Sequence, residues 1–122
     1  MAKHPREENA VITTREMGLL TVMEVEGEFA DQVAEEFVKL IDGMFERNRF
    51  HVVLDMTKAK WTSLKALKYL VRYVKKFREK DGDIKLAGIN PYLSNLLNLT
   101  GTTVLFDVYR TVEMAVAVYD LR

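Results

Sequence analysis

The chain has 122 residues, of which 48% are hydrophobic and 30% are charged, so it can form one globular domain with a buried core. Its formal net charge is zero, which argues against nucleic acid as a partner, and the absence of cysteine excludes disulfides and thiolate metal sites. No apolar run reaches the roughly 18 residues of a membrane span, and polar residues 1–9 lack the apolar centre of a signal peptide. We therefore expect a cytoplasmic protein in which residues 1–9 form a disordered polar arm.

The first half of the chain predicts two strands, a helix and a third strand. Residues 10–14 suit an edge strand, and residues 19–26 alternate between the two faces of a second strand, with Gly27 at its expected end. Within residues 29–47 the apolar side chains recur every three or four positions, which is typical of an amphipathic helix. The apolar run at residues 50–54 predicts a strand that is covered on both faces of a sheet.

The second half alternates helices with strands. After a predicted loop at residues 56–61, Thr62 or Ser63 suits the N-cap of a helix that runs to about residue 80. We expect the apolar stripe of this helix to face inward at Leu64, Leu67, Leu70, Val71, Val74 and Phe77. The remaining predicted elements are a strand at residues 84–89, a helix that begins at Pro91 and is buried through Leu93, Leu96, Leu97 and Leu99, a strand at residues 104–108 and a helix at residues 111–119.

The order of these elements predicts the fold class. Strands that alternate with helices favour an α/β domain with a central, mostly parallel sheet. We expect about five strands, one of them an antiparallel edge strand, and about four helices. The sequence shows no internal repeat or linker, so residues 10–122 are predicted to form a single domain.

Three segments carry a family resemblance. They are Val-Glu-Gly-Glu-Phe at residues 25–29, Val-Val-Leu-Asp-Met-Thr at residues 52–57, and the stretch from Asn90-Pro91 to Tyr109. In this order and spacing they resemble the STAS domain, the module of the anti-sigma factor antagonists, over about residues 10–120. The resemblance implies a STAS-like fold and a bacterial regulatory domain without enzymatic activity, which binds a protein partner and is switched by serine phosphorylation.

The family's switch residue follows an Asp after the buried strand, and two alignments of this region stay open. Counting without gaps from Asp55 places Ser63 at the acidic position and Leu64 at the acceptor position. Shortening the loop by one residue places Thr62 at the acidic position and Ser63 at the acceptor position. The Asp is absent in both alignments. Ser63 and Thr62 are our candidate phosphoacceptors, since a helix N-terminus favours an added phosphate. The alternative is that they only cap the helix.

The resemblance also implies a partner, namely an anti-sigma factor with serine-kinase activity or a related switch protein. Lysines near the candidate phosphoacceptors suit contact with a phosphate, and aromatic residues and Arg are favoured at interfaces. The candidate partner-binding residues are Lys58, Lys60, Trp61, Lys65, Tyr69 and Arg72. Tyr69 and Tyr73 are four positions apart and therefore share a helix face. The alternative for this helix is a solvated basic face whose tyrosines line the edge of the core.

The sequence lacks the patterns of an enzyme. It has no Gly-rich phosphate loop, nucleophile elbow or paired histidines, so we expect neither catalytic residues nor a cofactor. His4, His51 and Asp55 have no partner at metal-ligand spacing, so no metal site is expected, and Asp55 is predicted to cap the following loop.

A second interpretation of the function keeps the fold but not the switch. In this view the domain is a constitutive STAS-like binding subunit, or a lipid or small-ligand module, that has lost its phosphoacceptor. Leu64 and Lys65 depart from the family pattern and motivate this alternative. An apolar side chain such as Trp61 would then contact a partner or an acyl chain. The sequence does not identify the oligomeric state.

Overall fold

A computed structural model describes residues 11–119 of the chain. Within this range the strands are β1 (Val11–Met17), β2 (Leu20–Phe29), β3 (His51–Asp55), β4 (Ala59–Thr62), β5 (Asp83–Ala87) and β6 (Val108–Tyr109). The helices are α1 (Asp31–Glu46), α2 (Leu64–Arg78), α3 (Pro91–Thr100) and α4 (Val112–Val118), with a 3₁₀ turn at Thr103–Leu105. The predicted polar arm at residues 1–9 lies outside the described residues.

The six described strands form one mostly parallel sheet in the order β1-β2-β3-β5-β6, with β4 paired to β2 beyond this path. Only β1, at the edge of the described sheet, runs antiparallel to its neighbour. The predicted α/β class with an antiparallel edge strand is therefore confirmed. The sheet has one strand more than the expected five, because residues 59–61 belong to β4 and not to the predicted loop.

The pairing of β2 with β4 contains a bulge, in which Lys60 of β4 is the extra residue. The prediction that Gly27 ends this strand is wrong, because β2 continues to Phe29. Gly27 has a φ of 91°, in the region that favours glycine, and the pairing of β2 shifts between Gly27 and Glu28. Beyond the shift, Phe29 pairs with Thr62 at the end of β4. The end of β2 thus pairs with β4 on both sides of the bulge, whereas its pairing with β3 ends at Glu24.

The main core lies between the sheet and helices α1, α2 and α3. The predicted apolar faces of α1 and α2 are confirmed by the buried side chains of Phe37, Ile41, Leu67, Leu70, Val74 and Phe77. Two predicted core positions are wrong, because Leu64 and Leu99 are 53% and 85% exposed. Leu64 is the first residue of α2 and Leu99 lies in the last turn of α3, and neither belongs to the main core. The predicted strand at residues 104–108 has the wrong bounds, because Thr103–Leu105 forms a 3₁₀ turn and β6 is only Val108–Tyr109.

Helix α4 covers the opposite face of the sheet. Its Ala115 packs with Leu20, Val22, Val53 and Ala87 in a second, smaller core. The hydroxyl of Tyr119 lies 2.8 Å from the carbonyl oxygen of Val52 and 2.9 Å from that of Asp83. Beneath its ring, Lys85 bridges the carboxylates of Asp83 and Asp107 at 2.9 and 3.0 Å. Burial lowers the pKa of Lys85, but the hydrogen bonds to the two aspartates outweigh it, and the net direction is upward. Tyr119 and Lys85 therefore link β3, β5 and the residue before β6 through hydrogen bonds and ion pairs.

Gly82 provides a test of the packing between α2 and β3. A Cβ atom at this position would overlap the backbone carbonyl and the Cβ of Phe50. We expect Gly82→Ala to lower the free energy of unfolding by roughly 1–3 kcal/mol, because the backbone must shift to admit the methyl group. Gly43→Ala is the control, since a Cβ there meets nothing within 4 Å and a helical alanine is favoured by about 0.5–1 kcal/mol. Urea denaturation measures both, and equal stabilities of the two variants would contradict the packing.

Candidate functional site

Ser63 is the residue at which β4 becomes α2. Its backbone N–H donates to the carbonyl oxygen of Phe29 at 3.0 Å, which continues the pairing of β2 with β4 by one further bond. Its side-chain Oγ accepts from the backbone N–H of Ala66 at 3.0 Å. Ser63 has extended backbone angles and is the N-cap of α2, as its short hydroxyl side chain favours. The start of α2 is thus held to the sheet by Ser63.

The structure separates the two candidate phosphoacceptors. Thr62 is 2% exposed, because it is the last residue of β4 and its side chain points into the domain. Ser63 is half-buried, and its side chain lies at the N-terminus of α2. The first turn of α2 contains no acidic residue. An anion at Ser63 would therefore meet the positive end of the helix dipole without a competing carboxylate from that turn.

Lys65, in the first turn of α2, is joined to α1 through Glu35. The Lys65 ammonium lies 2.8 Å from a carboxylate oxygen of Glu35, and the Tyr69 hydroxyl donates to the same oxygen at 2.8 Å. The Lys65 hydrogen bond, helped by Tyr69, holds the pKa of Glu35 below its ordinary value, and the Glu35 carboxylate raises the pKa of Lys65. The Arg72 guanidinium lies 5.5 Å from the centre of the Tyr69 ring. Lys65, Tyr69 and Arg72 are therefore one connected group with Glu35.

The two lysines that precede Ser63 differ in their surroundings. The Lys58 ammonium lies 3.8 Å from a carboxylate oxygen of Glu24 on β2. The side chain of Lys60 is exposed, and its backbone carbonyl accepts from the amide of Asn90 at 3.2 Å. Of the three lysines proposed to contact a phosphate, the structure therefore joins Lys65 to the Tyr69 group and places Lys58 with Glu24.

Trp61 forms a hydrogen bond to α3, a contact that the sequence did not predict. Its indole N–H donates to the hydroxyl of Tyr92 at 2.7 Å, and both side chains are partly exposed, at 37% and 44%. Asn90 reinforces this contact, because its amide donates to the carbonyls of Ala59 and Lys60 while its oxygen caps α3. The Asn90-Pro91 pair predicted the cap of α3, but nothing in the sequence marked Tyr92 or the link to β4.

Tyr73 agrees with the alternative in which the tyrosines of α2 line the edge of the core. It is 5% exposed and therefore does not share an open face with Tyr69. Its hydroxyl donates to the carboxylate of Asp42 on α1 at 2.8 Å. Burial, together with Asp42, raises the pKa of Tyr73. Tyr73 thus belongs to the contact between α1 and α2, and Tyr69 is the more exposed of the two tyrosines.

Asp55 has the role in the loop that the sequence predicted. One of its carboxylate oxygens accepts from the backbone N–H of Thr57 at 3.0 Å and from the Thr57 hydroxyl at 2.6 Å. Among residues 11–119 there is no group of three or more His, Cys, Asp or Glu side chains that could hold a metal ion. No helix in the described part of the chain has the length and apolarity to cross a membrane.

Comparison with known proteins identifies the fold. A family model described as STAS domain matches residues 11–115. A Thermotoga maritima protein described as an anti-sigma factor antagonist has 17% identity and a TM-score of 0.81, with 87% of this chain and 92% of that chain covered. The Bacillus cell fate determinant SpoIIAA in its phosphorylated form has 11% identity and a TM-score of 0.73, over 88% of this chain and 97% of that one. A murine anion transporter, solute carrier 26 family member A9, has 19% identity and a TM-score of 0.69, over 84% of this chain and 18% of that one. A comparison with curated protein sequences gave no match.

The capping bond of Ser63 predicts an effect on stability. Ser63→Ala removes the acceptor for the Ala66 N–H, and we expect the free energy of unfolding to fall by about 1 kcal/mol. Ser63→Asp is the matched control, because a carboxylate caps a helix as well as a hydroxyl does and suits the dipole. Urea denaturation distinguishes the two variants. If Ser63→Ala is as stable as the wild type, the hydroxyl does not cap α2 in solution.

The Glu35–Lys65 pair predicts a pH dependence. A carboxyl whose pKa is lowered by folding stabilises the folded state above its unfolded pKa, and this contribution is lost as the pH falls through the lowered value. We expect the wild type to be more stable than Glu35→Gln at neutral pH, with the difference shrinking as the pH falls below 4.5. Thermal denaturation across this range measures it.

Glu36→Gln is the control for this pair, since Glu36 is an exposed neighbour that forms no ion pair within residues 11–119. A stability difference between wild type and Glu35→Gln that is the same at every pH would contradict the assigned pair.

Proposed function

Because the chain belongs to the STAS domain family, we propose that it is a non-enzymatic regulatory domain that binds a protein partner, similar to the anti-sigma factor antagonists. The likeness in fold to the Thermotoga protein and to SpoIIAA supports this proposal. The partner is a protein of the kind such antagonists oppose, an anti-sigma factor with serine-kinase activity or a related switch protein. A bacterial, cytoplasmic setting belongs to the same proposal.

One observation carries the proposed switch, namely the position of Ser63. It stands at the N-terminus of α2, partly open to solvent, while Thr62 is buried. A phosphate on Ser63 would add a charge of about −1.5 to −2 where free backbone N–H groups and the helix dipole favour it. Burial of Thr62 makes it the weaker candidate, because a kinase would need β4 to open before it reached the hydroxyl.

The docking surface in this proposal consists of residues on both sides of Ser63 along the chain. Lys58, Lys60 and Trp61 precede it, with Lys60 and Trp61 on β4 and Lys58 just before that strand, while Lys65, Tyr69 and Arg72 follow it on α2. Phosphorylation would change this surface at its centre. The new anion would compete with Glu35 for Lys65, which is two residues away, and would repel acidic groups of a bound partner. Affinity for the partner would therefore fall.

A second candidate function is a constitutive binding subunit. The observation that favours it is that the Ser63 hydroxyl already has a structural task, since it caps α2. The family's acidic residue before the acceptor is also absent here. The transporter in the comparison carries a domain of this fold within a much longer chain. In this alternative, Trp61 and Tyr92 would contact a permanent partner or an acyl chain.

The test is calorimetric titration of candidate anti-sigma factor kinases from the same organism with the wild type, Ser63→Asp and Ser63→Ala. We expect one candidate to bind the wild type and Ser63→Ala, and to bind Ser63→Asp at least about tenfold more weakly, because of the added negative charge. Thr62→Ser is a control for the neighbouring hydroxyl and should bind as the wild type does. Equal binding by all variants would reject the switch and favour the constitutive subunit.

A further inference from the structure

Helix α2 carries exposed positive charges beyond the residues that surround Ser63. Lys68, Arg72 and Lys75 are spaced by four and three positions, which places them on one face within roughly 60° of each other. All three side chains are exposed. We call these three residues the basic stripe. It is about 10 Å long at 1.5 Å of rise per residue.

Within residues 11–119, Lys68, Arg72 and Lys75 form no ion pair with a carboxylate. Helix α2 contains six Lys or Arg residues and no Asp or Glu. Among residues 11–119, the ion pairs of this helix are formed by Lys65 with Glu35 and by Arg78 with Asp83, at the two ends. Like charges four positions apart, such as Lys68 and Arg72, destabilise a helix. The helix dipole offsets this only in the last turn, where Lys75 lies. Carboxylates from another molecule that cover the stripe would therefore relieve the repulsion between its charges.

We propose that the basic stripe docks an acidic helix of the protein partner, with carboxylates at matching four- and three-residue spacing. This inference rests on the proposed function and names the chemistry of the partner. Charge complementarity carries it, because three cations in one row without described counter-ions match a row of carboxylates. The Tyr69 ring, which contacts Arg72, provides a partly apolar border to the stripe.

The acidic residues of helix α1 favour a protein partner over a nucleic acid or an anionic membrane. Helix α1 contains five acidic residues and one lysine, and the bonds of Tyr69 to Glu35 and of Tyr73 to Asp42 place its carboxylates beside α2. A nucleic acid backbone or an anionic membrane would extend over these carboxylates and be repelled by them. An acidic helix presents its carboxylates in one row, so it avoids that repulsion.

The test uses two synthetic helical peptides of about 15 residues. One has glutamates on a single face at four- and three-residue spacing, and the other has the same composition with the glutamates distributed around the helix. Fluorescence anisotropy with the full chain should show about tenfold tighter binding of the single-face peptide, as expected from three surface ion pairs. This preference should weaken as the salt concentration rises.

Two triple variants locate the contact. Lys68→Glu, Arg72→Glu and Lys75→Glu together should abolish the preference for the single-face peptide. The control, Arg15→Glu, Lys39→Glu and Arg110→Glu, changes the net charge equally at exposed positions outside α2 and should retain it. Circular dichroism checks that each variant is folded, and the comparison of the two peptides on the wild-type chain requires no variant.

The proposal is overturned if the wild type binds the two peptides equally, or if the two triple variants lose binding to the same degree. It is also overturned if duplex DNA or vesicles of phosphatidylcholine and phosphatidylserine bind more tightly than the single-face peptide. None of these results would affect the titrations with Ser63→Asp, so failure of the stripe and failure of the phosphate switch are distinguishable.

Discussion

The candidate site depends on the pairing of the end of β2 with β4. The N–H of Gly27 donates to the carbonyl of Lys58 at 3.0 Å, Phe29 pairs with Thr62, and the N–H of Ser63 donates to the carbonyl of Phe29. These bonds determine where β4 ends and therefore where α2 begins. Ser63 lies where the chain changes from strand to helix. Its backbone N–H is bonded to β2, and its side-chain hydroxyl caps α2 and remains partly exposed.

Two sets of contacts surround Ser63: hydrogen bonds between β4 and α3, which we call the support, and the Glu35–Lys65 ion pair, which we call the charged border. Asn90 links β4 to α3 through the carbonyls of Ala59 and Lys60, and Trp61 adds a bond to Tyr92. On the other side, Glu35 draws Lys65 toward α1. A phosphate at Ser63 would act on this border and leave the support intact, because the support consists of backbone carbonyls and neutral side chains. The proposed switch is thus an electrostatic change on a fixed scaffold, and the basic stripe extends the same surface along α2.

The sequence predicted the parts of the fold that are governed by local patterns. The apolar periodicity of α1 and α2, the buried run of β3 and the Asn90-Pro91 start of α3 are visible within a few residues. It missed β4, because Ala59–Thr62 has only four residues, one of them a lysine, and its strand conformation comes from pairing with β2. The contacts of Tyr73 and Trp61 were not predicted for a related reason. Their partners, Asp42 and Tyr92, lie 31 positions away in each case, and no local pattern marks such contacts.

Phosphosite mapping of the protein isolated from its own cells decides whether Ser63 is a switch. Trypsin releases residues 61–65 as one peptide, which contains both Thr62 and Ser63, and fragment ions assign the phosphate to one of them. We expect phosphate on Ser63 in the wild type and no phosphate on this peptide in Ser63→Ala under the same growth conditions. Phosphate on Thr62, or no phosphate on this peptide under any growth condition, would contradict it.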